Sequence, residues 1–290
     1  MKTDKFSETA EGAAAVRAAH RLFDKPIVFN DPYAERFLGP RMKWVHTNFL
    51  PHRLIMRTFL KALKPIEGQV LCRARFAEDS LVEAISQGVD QYVIIGAGFD
   101  SFGLRRHDLM NKIVLFELDH PNTQHAKREG LADVATTERD NWHFLPIDFE
   151  TQELGDVLNE SQLDRDKPIF FSWLGTVPYL SKDATIGTLE TLTEFAASTS
   201  ELVFDYLVPN ELLSSKEQKA VEFLMKLANK RGEPLISFFE PGKIVELVER
   251  LGLKVIENLS PEEQNQRYFS ARRDNFVTAP NSWFMRIALP

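Results

Sequence analysis

Tyr92-Val93-Ile94-Ile95-Gly96-Ala97-Gly98-Phe99-Asp100-Ser101 is the stretch that decides the fold. A short, β-branched apolar run ends in glycine, a second glycine follows one residue later, and a helix is expected next. This is the strand–turn–helix unit of an open α/β sheet, whose ligands bind outside the carboxyl ends of the strands. Glycine at such a turn lets the backbone approach a ligand closely.

Working outward, further strands are predicted over 112–119, 142–148, 168–174, 201–207, 253–259 and 282–289, with helices over 121–131 and 182–197. Most of the strand runs are apolar on both faces, as in a parallel sheet covered on both sides. Ser260-Pro261-Glu262-Glu263 carries a Ser cap, Pro in the first turn and Glu three residues after the cap, so a short helix starts there. The last strand follows that helix closely and is expected either as a crossover or as an antiparallel insertion. Upstream of Gln91 the texture is helical. Ala10–Phe23, Leu50–Leu63 and Phe76–Ile85 carry apolar residues at three- and four-residue intervals. Asp31-Pro32 reads as a cap and first position of a short helix. The expected organisation is a helical N-terminal cap or lid, residues 1–88, and an α/β core, residues 89–290. Deleting residues 1–24 is accordingly expected to impair turnover more than folding.

Composition excludes several classes. An apolar share of 43 % with 27 % charged residues is that of a soluble globule, not of a disordered or collagen-like chain. A net charge of −7 argues against a nucleic-acid partner, which needs a basic footprint. The longest uncharged apolar-rich run, Pro168–Ser181, has fourteen residues interrupted by Gly175 and Pro178, too short to span a bilayer. No secretory h-region is visible at the N-terminus. The expectation is a cytoplasmic protein with no membrane partner; its oligomeric state is not legible. The single cysteine, Cys72, excludes an internal disulfide framework and a cysteine-based metal site. The histidines show no metal-binding spacing, so no metal is expected.

The candidate site residues cluster at strand ends. After Gly96-Ala97-Gly98, the next strand ends in Glu117-Leu118-Asp119. Asp119 lies 21 residues past Gly98, about where an acid accepts hydrogen bonds from ribose hydroxyls. The third strand ends in Asp148. A dinucleotide fingerprint wants a third glycine at position 101, but Ser101 stands there, preceded by the acid Asp100. Asp100 near a helix start would repel a pyrophosphate. The pocket therefore suits a nucleoside without phosphates, S-adenosylmethionine above all. Asp119 and Asp148 could alternatively cap the helices that follow them. GxSxG is absent around Ser172, so no nucleophile elbow is present.

On these residues the chain resembles the leucine carboxyl methyltransferase-like enzymes, class I S-adenosylmethionine-dependent methyltransferases, and within them the bacterial branch. The resemblance runs through Ser7-Glu8-Thr9-Ala10-Glu11-Gly12, Arg17-Ala18-Ala19-His20, Asp31-Pro32, Arg73-Ala74-Arg75-Phe76, Gly96-Ala97-Gly98-Phe99-Asp100, Phe116-Glu117-Leu118-Asp119-His120-Pro121, Pro146-Ile147-Asp148-Phe149 and Pro178-Tyr179-Leu180. It implies a doubly wound, Rossmann-like sheet, mostly parallel with an antiparallel C-terminal strand, under a helical lid. It also implies that Gly96, Ala97 and Gly98 face the cofactor's amino-acid moiety, that Asp119 binds its ribose, and that Asp148 and Phe149 sit at its adenine. The family's arginine for the cofactor carboxylate maps to Arg75, with Arg73 as the second choice. One departure stands out: many members carry a glutamate after the fourth strand, where this chain has Leu174 before Gly175. The expected activity is O-methyl transfer to a small molecule or a carboxylate. A hydroxyl acceptor needs a general base; His20 and His46 of the lid are candidates, and the catalytic group stays unassigned. The rival readings are a nicotinamide-dependent oxidoreductase and, because of Leu174, a non-catalytic binder on the same fold.

Overall fold

The computed structural model describes residues 8–59, 63–132, 134, 140–230, 234–274 and 276–290. In chain order the elements are α1 (Glu8–Phe23), α2 (Pro40–Thr47), α3 (Phe49–Leu54), α4 (Lys64–Ser86), β1 (Gln91–Ile95), α5 (Phe102–Arg105), α6 (His107–Met110), β2 (Val114–Asp119), α7 (Pro121–Leu131), β3 (Trp142–Pro146), α8 (Leu154–Asn159), β4 (Ile169–Trp173), α9 (Lys182–Phe195), β5 (Glu201–Leu207), α10 (Ser215–Lys230), α11 (Pro241–Arg250), β6 (Lys254–Leu259), α12 (Pro261–Phe269) and β7 (Ser282–Ala288).

The strands form one sheet in the order β3-β2-β1-β4-β5-β7-β6. β1 to β5 run parallel; β7 lies antiparallel between β5 and β6. Of the two alternatives for the last strand, the antiparallel insertion is the one formed. The chain order reverses between β1 and β4, which makes the carboxyl ends of these strands the natural ligand crevice. Alternation along the strands feeds two apolar layers. Tyr92 and Ile94 with Phe170 and Val203 pack on one face, under α1 and α4. Val93, Ile95, Phe171, Leu202 and Phe204 pack on the other, with α9 and α11. The capping box at Ser260 is present, with the Ser260 hydroxyl accepting from the Glu263 N–H.

The N-terminal half departs from expectation in three places. Helix α4 begins at Lys64, not near Phe76, because Pro65 is tolerated in a first turn, where its missing N–H costs nothing. The stretch 50–63 is not one helix: α3 ends at Leu54 and a π-type turn covers Ile55–Phe59. Asp31 caps no helix. It is buried, accepts from Arg17 Nε at 2.8 Å and from the Ser101 hydroxyl at 2.6 Å, and the short 3-10 turn nearby starts only at Ala34. Burial alone would raise the Asp31 carboxyl; Arg17, Arg105 and the Ser101 hydroxyl outweigh it and hold it below the usual range. Arg17 also donates through Nη2 to the Phe99 carbonyl at 2.6 Å, which ties α1 to the loop after β1. Ala14, Ala15 and Ala18 of α1 belong to the same apolar layer as β1. Within 8–24, these core contacts and the buried ion pair join α1 to the sheet, so a deletion there should also lower stability.

Candidate active site

The turn after β1 is held by its own hydrogen bonds. The N–H groups of Gly96 and Ala97 both donate to the Leu118 carbonyl at 2.9 Å. The Gly98 N–H donates to Asp119 Oδ2 at 2.6 Å, and the His120 N–H to Asp119 Oδ1 at 2.7 Å. Asp100 Oδ1 accepts from the Phe102 N–H at 2.6 Å, the donor at the head of α5. Gly96 and Gly98 have φ of +70° and +49°, a region other residues enter only with strain. A Cβ on Gly96 would lie 2.8 Å from the Thr176 hydroxyl oxygen, and one on Gly98 would lie 3.2 Å from the Ala10 methyl.

Asp119 is no helix cap; that part falls to His120, whose side chain accepts from the Asn122 N–H. Burial raises the Asp119 carboxyl, against the Gly98 and His120 donors that lower it. Two residues earlier, buried Glu117 takes Lys127 and the Trp142 indole N–H, fixing α7 and β3 to β2 beneath the site. Asp148 is half-buried just past β3 and accepts from the Glu150 N–H at 3.0 Å, an Asx turn rather than a cap, since α8 starts at Leu154. Phe149 beside it is exposed.

The two arginines offered for the cofactor carboxylate lie on different sides of α4. Arg75 lies on an exposed side of α4, donating from Nε to Asp79 at 2.8 Å and from Nη1 to the Val28 carbonyl at 3.5 Å. Arg73 is the one turned to Gly175 and the cavity. Its guanidinium lies over Gly175, where a Cβ would come within 2.5–2.7 Å, and its Nη1 donates to Asp205 at 3.3 Å. The reason is helical phase: two positions along an α-helix turn a side chain about 200°. Asp205, fully buried on β5, also accepts from the Gly175 N–H and from Gln69 Nε2. Leu174 packs on the apolar layer, so the acid at this sheet end comes from β5 rather than from the position after β4.

Above Gly175 and Arg73 opens a cavity of about 800 Å³, roofed by α1, α2 and the segment after α3, walled by α4 and α10. Along α4 it meets Ile66, Glu67, Val70 and Arg73, the three- and four-residue spacing of one helix face. Most of the lining is apolar, with Val45, Ile55 and Leu224 among it. None of Gly96, Ala97, Gly98, Asp119, Asp148 and Phe149, the residues expected at the cofactor, lines it; the cavity reaches their edge through Gly175, next to Thr176, whose hydroxyl abuts Gly96.

Two ionisable groups in this cavity wall are perturbed. Glu67 is pushed up to about 7, by burial first and the nearby Asp24 second, and accepts no hydrogen bond among the described residues. His46 is pushed down to about 4 by burial and by His52; its buried Nδ1 has no hydrogen-bond partner among the described residues. His20 lies outside the cavity wall. Its Nε2 accepts from the Val28 N–H at 2.8 Å, so Nδ1 carries the proton toward Asp24, a structural arrangement. Neither Glu67 nor Asp205 is among the residues expected from sequence. A charged residue on the apolar stripe of α4 was the available sign for Glu67; for Asp205 it was an acid inside an otherwise apolar strand. Among the described residues no group of acids, histidines and cysteine is arranged to hold a metal, and no helix is long and apolar enough to cross a membrane.

Comparison with known proteins bears on this site. The leucine carboxyl methyltransferase family model matches residues 10–193. A Bacillus subtilis protein named "Putative S-adenosyl-L-methionine-dependent methyltransferase YktD" is 30 % identical over 95 % of both chains. A Mycobacterium marinum protein with the same designation, apart from the letters YktD, is 28 % identical over 69 % of this chain and 63 % of its own. In three dimensions the chain is similar to a DUF574 family protein from Streptomyces avermitilis, with a TM-score of 0.61 at 14 % identity over 96 % of this chain and 97 % of that one, a likeness of fold.

Proposed function

Because the chain belongs to the leucine carboxyl methyltransferase family, we propose that it transfers a methyl group from S-adenosylmethionine to an oxygen of a small, largely apolar acceptor held beneath the N-terminal helices. One observation carries this reading: the glycine turn has consumed its own donors, and carboxylates stand at the strand ends around it. A turn without free N–H groups offers little to a pyrophosphate, which speaks against a nicotinamide enzyme. Carboxylates, in contrast, accept from ribose hydroxyls and from an ammonium.

The residues present fit the cofactor. Each Asp119 oxygen holds one backbone N–H and keeps a lone pair for a ribose hydroxyl. Gly96, Ala97 and Gly98 would face the amino-acid moiety, Asp148 and Phe149 would serve the adenine, and Arg73, oriented by Asp205, would serve the carboxylate. When bound, S-adenosylmethionine supplies an electrophilic methyl carbon on a sulfonium. The protein's part is to position the acceptor oxygen and exclude water. The N-terminal helical region, residues 1–88, would act as the lid.

For a hydroxyl acceptor, a Glu67 carboxylate oxygen takes the proton; with its titration near 7 it is suited to that exchange at neutral pH. His46, neutral at that pH, is the second candidate, at Nδ1. A carboxylate acceptor is the alternative, favoured by the family's name and needing no base. The cavity's charged lining is mixed, Glu8, Glu11 and Glu67 beside Arg41 and Arg73.

The test is direct. Calorimetry should detect binding of S-adenosylmethionine and of its demethylated product, and tritium from methyl-labelled cofactor should appear in apolar alcohols or phenols. No cofactor binding refutes the reading; binding without transfer to any acceptor class leaves the non-catalytic binder in its place.

A further inference from the structure

Between Glu35 and Glu67 the chain carries seven Lys and Arg residues and no Asp or Glu, in a protein of net charge −7. This stretch builds α2 and α3 of the cap. Helix α2 is apolar on two sides: Met42, Val45 and His46 line the cavity, while Trp44 is 59 % exposed. On α3, Phe49, Leu50 and Leu54 are 50 %, 76 % and 61 % exposed. Leu50 and Leu54, four residues apart, share one helix face. Arg41, at the cavity rim, and Lys43 and Arg53 are exposed among them. No described carboxylate pairs with these three, and Arg53 lies over the Phe49 ring at 5.8 Å.

Single exposed apolar residues need no partner, but four within eleven positions, interleaved with cations that no described carboxylate neutralises, make a patch. Three occupants can be compared. A second copy meeting this face about a two-fold axis would set cation against cation. A nucleic acid would use aromatic faces for stacking, yet the most exposed side chains, Leu50 and Leu54, offer none. An anionic bilayer suits all of it: Trp, Phe and Leu enter the headgroup–acyl boundary while Lys and Arg meet lipid phosphates.

We propose that the α2–α3 face of the cap docks on the surface of an anionic lipid bilayer. Trp44, Phe49, Leu50 and Leu54 insert at the interface, and Arg41, Lys43 and Arg53 hold the headgroups. This narrows the expectation of no membrane partner, which rested on the lack of spanning and secretory segments; a surface contact needs neither. Because the inner side of α2 roofs the cavity, docking brings that cavity to the lipid surface.

The test uses the full chain and vesicles of phosphatidylcholine with or without phosphatidylglycerol. Co-sedimentation should show partition onto the anionic vesicles at least about tenfold above the neutral ones, weakened by about 0.5 M salt. Trp142 and Trp173 are buried and Trp283 half-buried, so a blue shift of tryptophan emission on binding reports Trp44. The double variants Leu50→Ser/Leu54→Ser and Lys43→Glu/Arg53→Glu should each lower partition about tenfold or more, with melting temperatures unchanged because these side chains are exposed. The proposal is overturned by an absence of partition onto anionic vesicles, or by partition that neither double variant reduces. It is equally overturned if sedimentation velocity shows a dimer dispersed by Leu50→Ser, or if the patch binds an oligonucleotide in preference to the vesicles.

Discussion

The carboxyl edge of the sheet and the cap above it are built by opposite means. At the edge, consecutive residues do the work: Gly96, Ala97 and Gly98 bond to Leu118 and Asp119 through their own backbone. In the cap and the cavity wall, single side chains converge from distant segments, as when Arg17 of α1, Asp31 of the following loop and Ser101 beyond β1 meet in one buried cluster. The difference teaches where a site can be read from sequence. Backbone conformation is written locally in residue type, whereas convergence depends on which way each helix is turned.

The joint between the two regions is where a substitution should cost most. Arg17→Met takes from buried Asp31 its closest cation and leaves it Ser101, the Tyr33 N–H and Arg105 at 3.8 Å, and should cost about 3 kcal/mol. Urea denaturation should then show one destabilised transition; a separate early loss of the cap would mean that the regions fold independently. Next comes Glu67. Its carboxyl loses its proton near 4.5 when unfolded and near 7 when folded. Between those values the folded state binds the extra proton, so stability falls as pH rises through that window, by on the order of 2–3 kcal/mol. Glu67→Gln should flatten this fall in melting temperature against pH, and an unchanged profile would remove Glu67 from its buried position.

Arg73→Ala should weaken S-adenosylmethionine binding by about 2 kcal/mol, while Arg75→Ala leaves it nearly unchanged; calorimetry giving the reverse order would return the assignment to Arg75. For Asp119→Ala, loss of the ribose contact should cost about 1–2 kcal/mol in the same titration. The smallest effect is expected at Gly175→Ala, about 1 kcal/mol of affinity, through a Cβ that displaces the Arg73 guanidinium and a φ of +72° that alanine resists. Full affinity in that variant would show that the guanidinium does not need its perch.

The seven strands, their carboxyl edge and the place of Asp119 were legible because apolar runs ending in glycine or acid have few other readings. The choice between Arg73 and Arg75 was not. It depends on the phase of α4, whose start is hidden behind Lys64-Pro65, a pair that reads as a break yet opens the helix. Asp31-Pro32 misled for the opposite reason: the carboxylate keeps the local Tyr33 N–H, but no helix follows it, and its other oxygen is taken by buried Arg17. Glu67 and Asp205 are carboxylates inside apolar patterns, whose neighbours come from other elements and leave no mark on adjacent sequence.

The Ala10 methyl stands over Gly98, close enough that a Cβ there would touch it. On the proposed reading, a ligand on that side of the turn would press on the opening turn of α1. Occupancy there is then governed by the fraying of a helix end, a fast and reversible event. On the reading proposed above, that one methyl would couple cofactor entry to the order of the first turn of α1.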